Sequence, residues 1–390
     1  MRVKALTLSL VFLALAGCAG PSLRGTGDLG VVVERSAGRL ALVETTTGSL
    51  LDRIEGLGDL SHASMVFSRD ERFAFVFGRD GGLTKVDLLE RRIAKRIVQA
   101  GNSIGGAIGQ DGSWVAVANY EPGGVKIFAT ATLDLLADIP AIGADGKRSK
   151  VVGIAEAGEG RLIYSLYDAG EIWLADLADP RQPKLSKFAN AGKLPYDGLV
   201  TMDGRSYVAG LFGEDGLALL DLWNVEAGVK KVMPGYGKGA EPLPVFKMPH
   251  LRGWAAAGDA LYIPAIGRHE VLVIDRRNWT EIGRIPVAGQ PVFVMARPDG
   301  RQVWVNFALP HNDTVQVIDT PTNRVIRTLK PGKAILHLEF TPKGDRVWLS
   351  ARDDDRVTIW DTKTLSPIGS LAVEKPSGIF FTVRAHRFGL

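Results

Sequence analysis

A strand ending repeated eight times constrains this chain more than any single residue in it. The copies read LALVET, TKVDLL, VKIFAT, IWLADL, LALLDL, VLVIDR, VQVIDT and VTIWDT, with equivalent positions at Glu44, Asp87, Ala129, Asp176, Asp221, Asp275, Asp319 and Asp361. Successive copies lie 43, 42, 47, 45, 54, 44 and 42 residues apart, a period that belongs to the blades of a β-propeller. Each copy follows another extended run of bulky and β-branched residues, such as RFAFVFG, RLIYSLY or DRVWLSA, which reads as the preceding strand. Turns rich in Gly, Asp or Asn (RDGG, EPGG, GEDG, DDDR) separate the two and supply hairpin geometry. With an inner strand and an outer partner this makes four strands per blade, and no amphipathic helical period is sustained in the mature chain. The pattern predicts an all-β, eight-bladed propeller.

The chain ends predict how the ring closes. GVVVERSAG reads as a second strand with no first strand before it, while Gly378 to Val383 is a surplus strand after the eighth blade. Pairing that C-terminal strand with Val31 to Glu34 closes the ring and leaves no open sheet edge. Ahead of the ring, Arg2 and Lys4 precede an apolar run from Ala5 to Ala16, too short to span a bilayer and of signal-peptide form. The run leads into Leu15-Ala16-Gly17-Cys18, which resembles a bacterial lipobox. The expected organisation is a lipoprotein signal peptide at 1–17, a short tether at 18–28 and the propeller at 29–390. Acylation of Cys18 would anchor the protein on the periplasmic side of a membrane, and Ala19 after the Cys, rather than Asp, favours the outer membrane.

Cys18 is the only cysteine, so an internal disulfide and attachment of a c-type haem are not expected. Cleavage after Gly17 removes two positive charges, leaving 45 Lys and Arg against 43 Asp and Glu. That balance lacks the basic face of a nucleic-acid binder. The glycine-rich stretches at Gly105 to Gly109 and Gly235 to Gly239 do not form GxGxxG and sit in no βαβ unit, so bound NAD is not expected.

Two loop sets open on one face of a propeller, and side chains gathered there line the axial funnel. On this frame His62 lies at the start of blade two and His250 at the start of blade six, diametrically opposite in a ring of eight. Arg35, Arg79 and Tyr120 come from turns on the same face, Tyr196 and Asp197 from the start of blade five, and Arg252 from just beyond His250. Neutral imidazole is a common iron ligand and guanidinium pairs with carboxylates. Together they describe a pocket for an anionic, metallated macrocycle.

From Arg35 through RLALVE to SHAS and RFAFVFGRDGGLTKVDL, the chain resembles the haem d1 domain of cytochrome cd1 nitrite reductase. ANYEPGG, MPHLRGW, GQPVFVMARPDG, FTPKGDRVWLS and SGIFFTVRAH extend the likeness from Leu29 to Leu390. The resemblance implies His62 as the axial ligand to a tetrapyrrole iron, Arg35 and Arg79 on carboxylates, and His250 on the distal side.

Departures narrow the relationship. The attached cytochrome c domain of the reductase and of its paralogue NirN is missing, and Pro195-Tyr196-Asp197-Gly198 stands where the reductase carries a second distal His. A stand-alone propeller with a lipobox is similar to the NirF family, required for haem d1 synthesis. That resemblance implies binding of haem d1, dihydro-haem d1 or a late precursor, dehydrogenase-type oxidation or modification of a propionate, and support of nitrite reductase maturation in denitrification. His250, Tyr196, Asp197 or Tyr120 would transfer the proton. Contact with cytochrome cd1 nitrite reductase and NirN is implied as well. The alternative is a non-catalytic carrier or assembly scaffold.

Overall fold

Each repeated ending closes a strand at its expected residue: Arg39–Glu44, Gly82–Asp87, Gly124–Ala129, Glu171–Asp176, Leu217–Asp221, Glu270–Asp275, Val315–Asp319 and Arg356–Asp361. The acid recurs because its carboxylate folds back onto the next turn. Asp87 accepts the N–H groups of Leu89 and Glu90, and Asp361 those of Lys363 and Thr364, at 2.7 to 3.1 Å, a local cap that fixes the hairpin. Ala129 has no such side chain, and its turn closes on the backbone through the Leu133 N–H at 2.8 Å.

The computed structural model describes residues 25–236, 238–241 and 254–383. Among them are eight four-stranded antiparallel sheets, with helix limited to short 3-10 turns. Blade one has Pro376–Phe381 as its inner strand, followed outward by Leu29–Glu34, Arg39–Glu44 and Ser49–Ile54. Inner strands of blades two to eight are Ser64–Phe67, Asn102–Ile108, Val151–Glu156, Pro195–Val200, Ala255–Ala257, Pro291–Ala296 and Ile335–Phe340.

The ends meet as expected, with the C-terminal strand set two residues earlier. Val31 pairs with Phe380 and Val32 with Ile379, and the Thr382 N–H reaches the Leu29 carbonyl at 3.0 Å. A polar latch backs the seam. Glu34 is fully buried and accepts from Arg39, from Arg53 and from the Glu374 N–H. Burial pushes its carboxyl up, but Arg39, the Glu374 N–H and Arg53 outweigh burial and hold it below its ordinary value.

Alternation of side chains along each strand explains the ring. In Arg39–Glu44, Leu40 and Leu42 pack toward blade two, while Ala41 and Val43 pack toward blade eight. Both faces of a blade are thereby buried, and apolar clusters fill the spaces between neighbouring blades all round. At the closing interface Trp348 meets Phe381 edge-on, with ring centroids 5.4 Å apart.

Candidate functional site: a divided funnel rim

On the funnel face, the turn after a second strand is tied to the loop leading into the same blade. The N–H groups of Arg79, Tyr167, Phe212, Ala308 and Arg352 donate to the carbonyls of Asp59, Lys150, Leu194, Gln290 and Ala334, at 2.8 to 3.2 Å. This recurring bond makes the turn positions equivalent in blades two, four, five, seven and eight. Across blades eight, one and two the rim carries Arg352, Arg35 and Arg79. Across blades three, four and five it carries Tyr120, which lies within the Trp114–Glu121 strand and not in the turn expected from the sequence, followed by Tyr167 and Phe212.

In the basic arc, the half-buried Arg35 guanidinium donates to the Ser61 carbonyl at 2.5 Å. Ser61 in turn donates its N–H to the Asp59 carboxylate at 2.8 Å. These bonds set the loop that delivers His62 into the Ser64–Phe67 strand. No carboxylate among the described residues lies within the 4.0 Å ion-pair distance of Arg35. Burial lowers its pKa, the charges of Arg352 and Arg79 lower it further, and Asp59 opposes them; a guanidinium nonetheless stays charged. At Asp59, burial raises the carboxyl, but the Ser61 hydrogen bonds and the charges of Arg79 and Arg35 bring it below its ordinary value. Asp80, beside the exposed Arg79, is engaged by Arg96, so its charge is spent on bracing the turn.

The aromatic arc is held by ring contacts instead. The hydroxyls of Tyr120 and Tyr196 are 2.7 Å apart. Tyr196 meets Tyr167 edge-on at 5.7 Å and Phe212 at 6.3 Å between centroids, and is 5 % exposed. Tyr120 is half-buried, so the hydroxyl pair joins a buried phenol to a partly exposed one. Burial also raises the Tyr167 phenol pKa, with Lys150 opposing and Asp168 adding to the rise.

A bulge delivers Tyr196. Pro195 pairs with Leu211 and Gly198 with Ala209, so Tyr196 and Asp197 together oppose Gly210; such an insertion re-aims side chains at a rim. Asp197 is thereby placed beside Tyr196 as a backbone position. Gly198 is required where it stands, because a Cβ there would lie 2.2 Å from the Tyr207 hydroxyl, which donates to the Gly153 carbonyl.

Equivalent bulges in blades seven and eight carry Phe293 and His337. Their N–H groups are satisfied by the opposing side chains, Phe293 by Asn306 Oδ1 and His337 by Ser350 Oγ, both at 2.8 Å. The His337 ring stacks on Phe380 at 5.8 Å and meets Phe293 edge-on at 5.3 Å, and its Nδ1 accepts the Ile379 N–H at 3.3 Å.

Of the residues singled out in the sequence, Arg35, Arg79 and His62 gather on the basic side, and Tyr120 with Tyr196 on the aromatic side. His250, Arg252 and Cys18 lie outside the described residues. Sequence reasoning missed Arg352, Tyr167, Phe212 and His337. Superposing the repeats would have found the first three, which occupy the turn position already noticed at Arg79. An imidazole at His62 with the Arg35 and Arg79 guanidinium groups on the same side has the donor chemistry that an anionic iron macrocycle would need.

Residues 24–385 match the family described as the Cytochrome D1 heme domain. Protein NirF of Stutzerimonas stutzeri is 57% identical over 378 residues, covering 96% of this chain and 97% of its own. Protein NirF of Pseudomonas aeruginosa is 57% identical over 384 residues, with 98% of each chain covered. Among solved structures, the dihydro-heme d1 dehydrogenase NirN in complex with DHE superposes with a TM-score of 0.79 at 25% identity, covering 93% of this chain and 77% of that one. The chain belongs to the NirF family, on the Cytochrome D1 heme domain fold that it shares with NirN.

Proposed function

We propose that the funnel binds a late iron tetrapyrrole precursor of haem d1 and carries out a dehydrogenase-type oxidation or modification of one of its propionates, in support of nitrite reductase maturation. The observation that carries this reading is the division of one rim into a guanidinium arc and a phenol arc. A flat macrocycle with carboxylates along one edge complements both: charge-assisted hydrogen bonds hold the edge, and the aromatic side offers rings and hydroxyls. His62 serves as axial ligand, Arg35 and Arg79 hold carboxylates, and Arg252 and His250 join from the segment before blade six. The tetrapyrrole itself brings the iron and the redox-active ring. What the chain adds is orientation and a station for a proton, at the Tyr120–Tyr196 hydroxyl pair or at Asp197 or His250. The DHE-bound NirN structure supports a ligand of this class.

A second reading, a carrier that holds the intermediate without turnover, is favoured by one detail: the Tyr196 hydroxyl is buried and already satisfied by Tyr120. Dihydro-haem d1 and earlier intermediates, added to pure protein together with a soluble two-electron acceptor such as a quinone to take up the two electrons and protons released, distinguish the two. A product lighter by two hydrogens or lacking a side chain marks an enzyme; a shifted absorption spectrum with unchanged mass marks a carrier. No spectral change with any of them defeats both. His62→Ala should alter the spectrum of bound iron.

We further infer a periplasmic location with a Cys18 lipid anchor in the outer membrane, where the protein contacts cytochrome cd1 nitrite reductase and NirN. Membrane fractionation checks the anchor, since Cys18→Ser should release the protein, and equal retention of both forms removes it. Pull-down of either partner by the anchored protein checks the contact.

A further inference from the structure

His337 is fixed by three neighbouring strands. Its backbone is clamped to the second strand of blade eight, where the fully buried Ser350 hydroxyl accepts the His337 N–H at 2.8 Å and donates to the His337 carbonyl at 3.3 Å. Ser350 stands two residues before Arg352, which sets His337 roughly 7 Å down the wall from that turn. The imidazole is stacked on Phe380 of blade one at 27°, with centroids 5.8 Å apart, and meets Phe293 of blade seven edge-on at 5.3 Å. The stack needs a glycine: a Cβ on Gly378, which occupies the same bulge position in blade one, would come within 2.3 Å of the Phe380 ring. With the second strand behind it and a blade on either side, the part of His337 that is exposed opens toward the axis of the ring.

One hydrogen bond decides the chemistry of the ring. Nδ1 accepts the Ile379 N–H at 3.3 Å, so that nitrogen presents its lone pair and the proton of the neutral imidazole sits on Nε2. A second proton on Nδ1 would set two N–H groups against each other. The ring is therefore a neutral donor of fixed orientation, not a base. Placed between phenyl rings, such a donor matches an uncharged acceptor, because burying a carboxylate there costs far more than burying a carbonyl. Blade eight stands a quarter-turn round the ring from blade two. An axial bond runs normal to a macrocycle, so one whose iron is taken by His62 turns its edge toward blade eight. We propose that His337 is a specificity-determining residue that donates from Nε2 to a carbonyl oxygen on the edge of the bound tetrapyrrole, and so selects macrocycles bearing a ring oxo group. This inference rests on the funnel being a tetrapyrrole site with His62 as axial ligand.

Absorption titration with two probes tests it: iron mesochlorin and its ring-oxo derivative, which share both propionates and differ chiefly in one ring carbonyl. Wild-type protein should bind the oxo derivative about fivefold more tightly, the contribution of one hydrogen bond. His337→Phe keeps the ring packing and removes the donor, so it should level the two affinities by weakening the oxo derivative alone. His337→Gln, which retains an N–H near the place of Nε2, should keep part of the preference. Nitrogen-15 NMR of the ligand-free protein, with the His337 signals assigned by their loss in His337→Gln, should find the ring proton on Nε2. Equal binding of the two probes by wild type, a preference that survives in His337→Phe, or a proton on Nδ1 overturns the proposal and leaves the tetrapyrrole site standing. So does failure of both probes to bind while dihydro-haem d1 binds wild type and His337→Phe equally. Failure of the probes and of dihydro-haem d1 to bind wild type removes both. Thermal melting of the variants checks that the fold is retained, and the wild-type titration and NMR decide the matter where His337→Phe does not fold.

Discussion

The two arcs of the rim are built on opposite principles. The aromatic arc comes from blades three to five, contiguous in sequence, and is rigid because Tyr196 packs between Tyr167 and Phe212 and bonds Tyr120. The basic arc is assembled from both ends of the chain: Arg35 and Arg79 lie near the N-terminus, Arg352 near the C-terminus, and they meet only because blade one is closed across the seam. Packing fixes one arc, whereas the other holds like charges in proximity. Electrostatic strain of this kind favours anion binding. The difference separates a part that positions chemistry from a part that recognises charge, and it makes the basic arc the more dependent on ring closure.

That dependence gives the largest expected effect. Deleting residues 376–390 removes the inner strand of blade one and opens an edge beside Leu29–Glu34. Calorimetry should then show no cooperative transition at the wild-type temperature; a truncated protein that melts like the parent would break the link between closure and arc.

The next effect is the latch. Replacing buried Glu34 by Gln should cost about 3 kcal/mol, since it breaks an ion pair with Arg39 and Arg53 that retain some water contact. The Glu34 folded-state pKa is lowered from 4.5. Its carboxylate therefore stabilises the fold fully above the unfolded value, and that contribution is lost as pH falls through the folded value. Melting temperatures of wild type and Glu34→Gln should converge in acid, and a gap that stays constant down to pH 2 would contradict this account.

Much of the ring was legible because its signals are local. Alternating apolar residues and a turn-capping acid need no distant partner, and all eight strand endings fall where the sequence put them. Arg35, Arg79, His62, Tyr120 and Tyr196 were singled out through family likeness and an expected shared face, and the fold brings the first three to one side and the two tyrosines to another. Arg352 was not, because an Arg followed by three acids in a turn reads as a solvated ion pair, and that pair does form. Only the proximity of Arg35, across the seam, gives it a second meaning. Phe293 and His337 were missed for a different reason: a bulge aims them, and one extra residue in a strand leaves no mark on an apolar alternation.

The arcs can be compared directly by binding. Arg35→Ala should weaken a carboxylate-bearing tetrapyrrole by about 1.5 to 3 kcal/mol, with Arg79→Ala at the lower end, because a half-buried guanidinium is less screened than an exposed one. Arg35→Lys should recover only part of this loss. Titration of the free acid and its ester reads the effect. Equal affinities for the two in wild-type protein would remove carboxylate recognition from the basic arc.

The smallest effect on binding belongs to the phenols. Tyr120→Phe and Tyr196→Phe each delete one end of a single hydroxyl contact, so each should change tetrapyrrole affinity by about 1 kcal/mol or less. Their effect on conversion should be much larger if the pair relays a proton, since a general acid or base accounts for 100-fold or more in rate, an order-of-magnitude expectation. Because the two hydroxyls bond each other, the double variant should lose no more activity than either single one. Single-turnover assays with product mass as the readout check this. Additive losses would separate the two phenols, and unchanged conversion in both variants would transfer the proton to Asp197 or His250, leaving the aromatic arc as a rigid wall against which the macrocycle lies.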